Sequence, residues 1–178
     1  GMHRSGTSAL TWGLKTLGIQ LGENLKDESA FDNLKGFWED IDILKKNEDI
    51  LKTCGLSWHS FTEIDPFFWE TLTAANFKME AIELIRAKIN KYPIWGFKEP
   101  RTCRLLSFWK DVFQHVNVQE DYVIVLRNPK SVADSLAARN KFKPEKSYLL
   151  WLIHIISVLN DLENKPKIII DYDRLIKD

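Results

Sequence analysis

Apolar and polar positions along this chain repeat with two different periods, which predict where helices and strands form. In the longer segments apolar residues recur every three or four positions, the spacing of a helix with one buried face. The predicted helices cover residues 7–17, 40–53, 66–90, 102–116, 129–140 and 144–163. Short apolar runs with turn residues at their ends are typical of buried strands. The predicted strands cover residues 19–21, 94–98, 122–126 and 167–171.

The order of these elements, in which strands alternate with helices, is typical of an α/β domain. Such a chain forms a mostly parallel central sheet with helices on both faces, which is a three-layer arrangement. No repeat, low-complexity run or linker divides the 178 residues, and this length is ordinary for one domain with one core. The prediction is therefore a single α/β domain over residues 1–178.

Composition and charge narrow the classes of protein to consider. The chain has 25 basic and 25 acidic residues, and this balance argues against a nucleic-acid-binding module. No apolar run approaches the roughly 18 residues of a membrane span, and no signal peptide precedes the first loop, so a cytoplasmic location is expected. Cys54 and Cys103 lack metal-ligand spacing. Free thiols are the favoured interpretation, and one disulfide between them is the alternative.

The most distinctive local pattern is the opening stretch, Gly-Met-His-Arg-Ser-Gly-Thr-Ser. Gly1 and Gly6 permit a tight turn in which successive amides converge at the positive end of the first helix. Arg4 adds a fixed positive charge, while Thr7 and Ser8 add hydroxyl donors. This arrangement suits a phosphate, although a strand-to-helix turn without any ligand has a similar pattern. The spacing is close to a Walker A loop, but Thr7 replaces the lysine, which argues against ATP or GTP hydrolysis.

A second pattern follows the predicted strand at residues 122–126. Arg127 ends this strand, where open α/β sheets bind ligands. Asn128 and Pro129 then have the sequence of a helix start. Ser135 lies about two turns into that helix, on a face that it can share with Arg127. The pair predicts a site for a second phosphate.

Together the two patterns resemble the sulfotransferases that use 3'-phosphoadenosine 5'-phosphosulfate (PAPS). In that family a loop with the consensus Pro/His-Lys/Arg-Ser-Gly-Thr-Thr/Ser holds the 5'-phosphosulfate, and an arginine at a strand end with a serine eight residues later holds the 3'-phosphate. Residues 3–8 and the pair Arg127 and Ser135 match both. The sequence of the opening loop is similar to that of bacterial members of the family. Further matches to the family lie at residues 35–39, 96–101 and 171–175.

The resemblance implies a sulfotransferase fold of the P-loop nucleoside-triphosphate-hydrolase type. The implied activity is transfer of the sulfonate of PAPS to an acceptor hydroxyl or amine, on a carbohydrate or other small molecule, without a metal. Family members have a strand before the loop and helices after the last matched segment, so a chain trimmed at both ends is expected. The implied donor-binding residues are Arg4, Ser5, Gly6, Thr7, Ser8, Arg127 and Ser135.

Two other functions compete with this interpretation. A truncated homologue could bind the nucleotide or the acceptor without turnover, and only an assay of sulfonate transfer separates it from an enzyme. A P-loop kinase is disfavoured because Thr7 replaces the Walker A lysine and no clear Mg²⁺-binding aspartate ends a predicted strand.

Glu39 is the first candidate for the base that takes the acceptor proton. It lies where a polar loop meets the helix predicted at residues 40–53 and resembles the glutamate base of bacterial and protein-tyrosine sulfotransferases. A carboxylate that only interacts with the helix dipole explains the same position. The loop makes the alignment ambiguous, so Glu23, Asp40 and Glu99 are the alternative bases.

Lys98 and Arg4 are the cations expected to stabilise the leaving group. Lys98 ends the predicted strand at residues 94–98, at the same sheet edge as Arg127, and family members have a lysine there. Such cations are needed because negative charge builds on the bridging oxygen as the phosphate leaves. A solvated strand end paired with Glu99 is the alternative for Lys98.

His3 and the tryptophans carry weaker signals. His3 replaces the usual proline of the loop and could contact phosphate or the acceptor, but no histidine stands where the animal enzymes have their catalytic one. Most of the tryptophans are expected in the core. Trp38 and Trp58 lie in irregular segments and could instead form a platform for the acceptor.

Overall fold

Two of the predicted strands pair in parallel in the computed structural model, which describes residues 1–26 and 36–177. β1 (Tyr122–Leu126) pairs with β2 (Lys167–Asp171), with Tyr122 opposite Lys167 and Leu126 opposite Asp171. Both ranges agree with the prediction. Because the strands are parallel, their carboxyl ends meet at one edge, where Arg127 and Tyr172 follow.

Helices make up most of the described residues, so the domain is mixed α/β but mainly helical. The α-helices are α1 (Thr7–Thr16), α2 (Ile41–Thr53), α3 (Leu72–Lys91), α4 (Leu106–Val116), α5 (Pro129–Asn140), α6 (Pro144–Asp161) and α7 (Tyr172–Leu175). Short 3-10 helices cover Pro66–Glu70 and Pro100–Arg104. The bounds of α5 agree with the prediction because Asn128 caps the helix and Pro129 occupies its first position.

The helix predicted over residues 66–90 is interrupted. Thr71 has extended backbone, with ψ of 155°, and its hydroxyl accepts a hydrogen bond from the Ala74 amide at 3.2 Å. Thr71 is therefore the N-cap of α3, and the Pro66–Glu70 turn before it is a separate element.

The larger central sheet is not found in the described part of the chain. The predicted strands at residues 19–21 and 94–98 meet only in one parallel bridge, between Gln20 and Trp95. Extended backbone cannot continue past Gly22, whose φ of 87° is left-handed. The sheet described by the structure has two strands, and the three-layer arrangement stays a prediction.

The main core lies among α2, α3 and α4. Its fully buried side chains include Ile43, Ile50, Ile85, Leu105, Trp109 and Val112. A second cluster packs α4 and α6 against β1 through Leu106, Ile124, Val158 and Leu162. These clusters fix the carboxyl end of β1 relative to the helices around it.

A third cluster anchors the opening loop. Met2 is 1% exposed and packs with Val132 and Leu136 of α5 and with Leu150 of α6. Burial of such a side chain contributes roughly 1.5–3 kcal/mol. The loop that follows Met2 is therefore held against the start of α5, where Arg127 also lies.

The structure also describes the two cysteines and the lengths of the apolar helices. Cys54 is half-buried and Cys103 is buried, and both are free thiols, as favoured by the sequence. Within residues 1–26 and 36–177 the helices are too short or too polar to cross a bilayer.

Candidate functional site

A cavity of about 1050 Å³ lies where the opening loop, the N-terminus of α1 and the ends of β1 and α5 meet. The described residues that line it are His3, Arg4, Gly6, Thr7, Ser8, Ala9, Trp12, Lys26, Phe37, Trp38, Glu39, Trp58, Lys98, Pro100, Arg101, Arg127, Arg139, Asn140 and Tyr172. Six of these residues are basic and only Glu39 is acidic. The described wall therefore favours an anionic ligand.

The opening loop has the conformation of an anion cradle. Gly6 has φ of 83°, and a Cβ atom on it would lie 2.2 Å from the ring of Tyr172, so only glycine fits there. α1 begins at the next residue, Thr7. The first N–H groups of a helix have no carbonyl partner inside it, and they carry its positive end. The cradle therefore opens onto the cavity with donors suited to a phosphate or sulfonate oxygen.

Backbone strain is concentrated around the same cavity. Among the described residues, four other than glycine have positive φ: Arg4, Trp38, Asn117 and Lys141. Asn117 and Lys141 follow the last residues of helices, where the left-handed conformation is common. Arg4 (φ 68°) and Trp38 (φ 54°) instead line the cavity. Such outliers cluster at binding and catalytic sites, because surrounding contacts must hold them in place.

The two predicted phosphate motifs are in direct contact. The Arg4 Nε atom donates a hydrogen bond to Ser135 Oγ at 2.7 Å, and Arg127 Nη1 donates one to the Arg4 carbonyl oxygen at 2.9 Å. The Arg127 guanidinium also lies 5.2 Å from the ring centre of Tyr172, with its Nε atom 3.7 Å from Asp173 Oδ1. Arg4 therefore points towards the second motif, so one anion there could contact both arginines.

Five of the seven predicted donor-binding residues line the cavity: Arg4, Gly6, Thr7, Ser8 and Arg127. The remaining two lie in the layer around it. Ser5 is 1% exposed, and its amide donates to the Met2 carbonyl oxygen at 3.3 Å. Ser135 is held by Arg4 and supports the orientation of that guanidinium.

Lys98 and Glu39, two of the predicted catalytic residues, form an ion pair on the cavity wall. Lys98 Nζ lies 2.9 Å from Glu39 Oε1 and 3.3 Å from Ser8 Oγ. The lysine and glutamate side chains are 13% and 6% exposed. Burial lowers the pKa of Lys98, and the neighbouring Glu39 carboxylate opposes that change. Lys98 is thus not a solvated strand end paired with Glu99, which was the alternative.

Glu39 is held in place from both sides along the chain. The Lys26 amide donates to the Glu39 carbonyl oxygen at 2.8 Å, and Lys26 Nζ lies 3.8 Å from Glu39 Oε2. The Ser8 hydroxyl donates to the Phe37 carbonyl oxygen at 3.2 Å. These contacts fasten the segment before α2 to the N-terminus of α1.

Asp40, not Glu39, caps α2. The Asp40 carboxylate accepts from the amides of Asp42 at 2.9 Å and Ile43 at 3.4 Å, and it forms an ion pair with Lys88 at 2.6 Å. Asp40 therefore satisfies the first amides of α2, and the Glu39 carboxylate instead pairs with Lys98 and Lys26.

The other two carboxylates proposed as bases lie outside the described cavity wall. Glu23 is exposed and pairs with Lys91 at 2.6 Å. Glu99 is buried and accepts from Asn47 Nδ2 at 2.7 Å and from the Arg101 amide at 3.0 Å. Burial raises the pKa of Glu99, and its contacts orient Arg101, which does line the cavity. Of the four candidates, only Glu39 faces the cavity.

The two tryptophans proposed as an acceptor platform belong to separate aromatic groups. Trp38 packs on Trp12 with ring centres 5.0 Å apart. Trp58 stacks with Phe142 at 5.7 Å and contacts His3 at 4.4 Å. Both tryptophans line the cavity, but Trp58 is sandwiched by its neighbours and is poorly suited to stack on a further ring.

Lys26, Arg139, Asn140 and Tyr172 line the cavity but were not predicted from the sequence as site residues. Lys26 and Arg139 are single charges in unremarkable sequence, and only the tertiary fold brings them to the cavity. The position of Arg139 could have been predicted from its spacing, because it lies one helical turn after Ser135 and therefore on the same face of α5. Tyr172 lies within the matched residues 171–175.

Residues 1–26 and 36–177 contain no group of three or more His, Cys, Asp or Glu side chains that could hold a metal ion. Comparisons of the chain with protein-family models, with curated proteins and with solved structures find no match.

Proposed function

We propose that this chain is a sulfotransferase that moves the sulfonate of PAPS to the hydroxyl or amine of an acceptor. The observation that carries the proposal is the position of Lys98. Its ammonium contacts Glu39 on one side and Ser8, in the first turn of α1 beside the anion cradle, on the other. A cation between a carboxylate and a phosphate cradle is what sulfonate transfer to a hydroxyl needs. A cytoplasmic location and the three-layer sulfotransferase fold are part of the proposal.

The residues fit a nucleotide that carries several negative charges. Gly6 lets the Tyr172 ring pack directly against the loop, and Arg127 donates a hydrogen bond to the Arg4 carbonyl oxygen beside it. When bound, PAPS would supply an activated sulfonate and a good leaving group. The cradle would hold the 5'-phosphosulfate, and Arg127 with Arg4 would bind the 3'-phosphate.

In the proposed mechanism Glu39 would accept the proton of the acceptor, and Lys98 would stabilise the negative charge on the leaving group. Glu39 would accept the proton of the acceptor hydroxyl as the acceptor oxygen bonds to sulfur. Lys98 would donate a hydrogen bond to the bridging oxygen, which keeps the electron pair of the breaking sulfur–oxygen bond. The proton ends on Glu39, and the negative charge ends on the departing phosphate beside Lys98.

This mechanism requires Lys98 to exchange partners. In the structure the Lys98 ammonium donates a hydrogen bond to Glu39, and in the proposed complex it would turn towards the leaving oxygen near Ser8. Lys26, at 3.8 Å from the other carboxylate oxygen, would keep Glu39 in position during that exchange. The carboxylate is then less neutralised and becomes a better proton acceptor.

Nucleotide binding tests the proposal without knowledge of the acceptor. We expect adenosine 3',5'-bisphosphate to bind at least about tenfold more tightly than AMP by calorimetry, since charge-assisted hydrogen bonds to a 3'-phosphate are worth about 1.5–3 kcal/mol. Arg127→Gln should remove most of this preference, whereas Arg86→Gln, an exposed arginine on α3, should not.

The same titration, together with an assay of sulfonate transfer, separates the competing functions. Equal affinities for the two nucleotides would contradict the proposal. Tight binding of ATP that depends on Mg²⁺ would indicate a kinase instead. Binding of the bisphosphate with no sulfonate transfer would indicate a nucleotide-binding homologue.

A further inference from the structure

One part of the cavity wall is built around an arginine held over an aromatic ring. The Arg139 guanidinium lies 5.6 Å from the ring centre of Trp58, and its Nε atom donates to Asn140 Oδ1 at 2.7 Å. The rings of His3, His59 and Phe142 also contact Trp58. A guanidinium in this setting is pre-organised, so little entropy is lost when it binds a planar oxyanion.

This arginine is distinct from the two that serve the proposed donor site. Arg4 and Arg127 are joined to each other, and Arg127 lies over Tyr172 beside Gly6. Arg139 lies one helical turn beyond Ser135, a rise of about 5.4 Å, and contacts the loop that carries Trp58.

The electrostatic surroundings of His3 support a positive potential at this end of the cavity. Burial is the largest cause that holds the pKa of His3 well below its usual value, and Arg101, Arg139 and Lys98 are among the further causes. A neutral imidazole therefore lies amid converging cations. Of the six basic residues in the described wall, Arg4, Arg127 and Lys98 are assigned to the donor, whereas Arg139 lies beside Trp58 and His3.

We propose that the part of the cavity formed by His3, Trp58 and Arg139 binds an oxyanion group of the acceptor, such as a carboxylate. The inference rests on the proposed function, because it assigns a chemical class to that acceptor. Glu39 lines the same cavity as His3, Trp58 and Arg139, so an acceptor hydroxyl near Glu39 can belong to the same molecule as an anionic group near Arg139. The acceptor is thus a hydroxylated acid, not a neutral alcohol or sugar.

Two pairs of small molecules test whether the acceptor is an acid. The members of each pair have nearly the same shape but differ by one negative charge. They are D-glucuronate with D-glucuronamide, and 4-hydroxybenzoate with 4-hydroxybenzamide. Each is titrated by NMR into the chain with and without an excess of adenosine 3',5'-bisphosphate, which would occupy the phosphate cradle. We expect the acid of at least one pair to bind about tenfold more tightly than its amide. The preference should weaken as salt is added.

Substitutions test whether Arg139 causes the preference for the acid over the amide. Arg139→Gln should abolish the difference between acid and amide without a change in nucleotide affinity, and Arg139→Lys should keep part of it because the charge remains. Arg86→Gln, exposed on α3, is the control and should keep the whole preference. The lysine variant and a melting temperature for each protein distinguish a local effect from a loss of folding.

The outcomes separate this inference from the proposed function. Equal binding of acid and amide in both pairs, or a preference that survives Arg139→Gln, would overturn the inference and leave the donor site untouched. If the acids are preferred through Arg139 but adenosine 3',5'-bisphosphate does not bind, the anionic subsite is supported and the sulfotransferase proposal fails.

Discussion

Lys98 Nζ lies 2.9 Å from Glu39 Oε1, although 59 positions separate the two residues along the chain. Neither residue belongs to a helix or to the paired strands. Their ion pair therefore connects two irregular segments, one before α2 and the other before the Pro100–Arg104 turn. Because both side chains are largely buried, removal of either partner leaves the other charge poorly solvated.

We expect Lys98→Met and Glu39→Gln each to lower the free energy of unfolding by about 2–4 kcal/mol. The loss should be smaller for Glu39→Gln, because glutamine can still accept a hydrogen bond from Lys98. The double variant should lose less than the sum of the two single losses, since it leaves no unpaired charge. Urea denaturation of the four proteins measures this coupling, and strictly additive losses would mean that the ion pair does not contribute.

Gly6→Ala should disturb the anion cradle as well as stability. The added methyl would meet the Tyr172 ring at 2.2 Å in a residue with φ of 83°. Gly18→Ala is the matched control, because Gly18 has φ of 99° but no atom within 4 Å of an added Cβ. Each substitution should lower the free energy of unfolding by about 1–2 kcal/mol, because alanine is strained in the left-handed conformation. Only Gly6→Ala should also weaken binding of adenosine 3',5'-bisphosphate, and unchanged affinity would argue against the cradle.

Acid should destabilise the fold through its buried histidines. Burial lowers the pKa of His154 from 6.5 to about 4, and burial also lowers that of His3. Between these pH values the unfolded chain binds protons that the folded chain does not, so stability falls as pH falls through this window. Protonation of His154 should lower the free energy of unfolding by roughly 3 kcal/mol in total as the pH falls through this window.

Urea unfolding from about pH 7 down to about pH 4.5 measures this dependence. His154→Phe removes one titrating group, so its free energy of unfolding should fall less steeply with pH, with a residual slope from His3. An identical slope in the variant would show that His154 is not held neutral in the fold.

Local sequence signals predicted β1, β2 and α5 well, because their ends carry chemistry that acts within a few residues. Asn128 and Pro129 define the start of α5 by capping and by a fixed φ. The break at Thr71 was missed, since the apolar period continues across it and only the hydroxyl-to-amide bond reveals the cap.

The candidate site was predictable in part. Arg4, Gly6 and Arg127 lie in compact motifs whose geometry follows from a loop, a helix start and a strand end. The ion pair of Lys98 with Glu39 was not predicted, nor was the place of Arg139 beside Trp58, because the packing of distant segments decides both. Predicted strands at residues 19–21 and 94–98 reduce to a single bridge, since three residues bounded by turns make too few hydrogen bonds to extend a sheet.

The most direct test of the account is a single-turnover assay of sulfonate transfer from isotopically labelled PAPS to the hydroxylated acids named above. The parent chain should transfer label, and Glu39→Gln should lower the rate by roughly 10²-fold or more while its affinity for adenosine 3',5'-bisphosphate stays nearly unchanged. Glu23→Gln, which alters an exposed carboxylate paired with Lys91, should transfer at the parent rate. Full transfer by Glu39→Gln would contradict the assignment of the base, and no transfer by the parent chain to any of these acceptors would contradict the proposed activity.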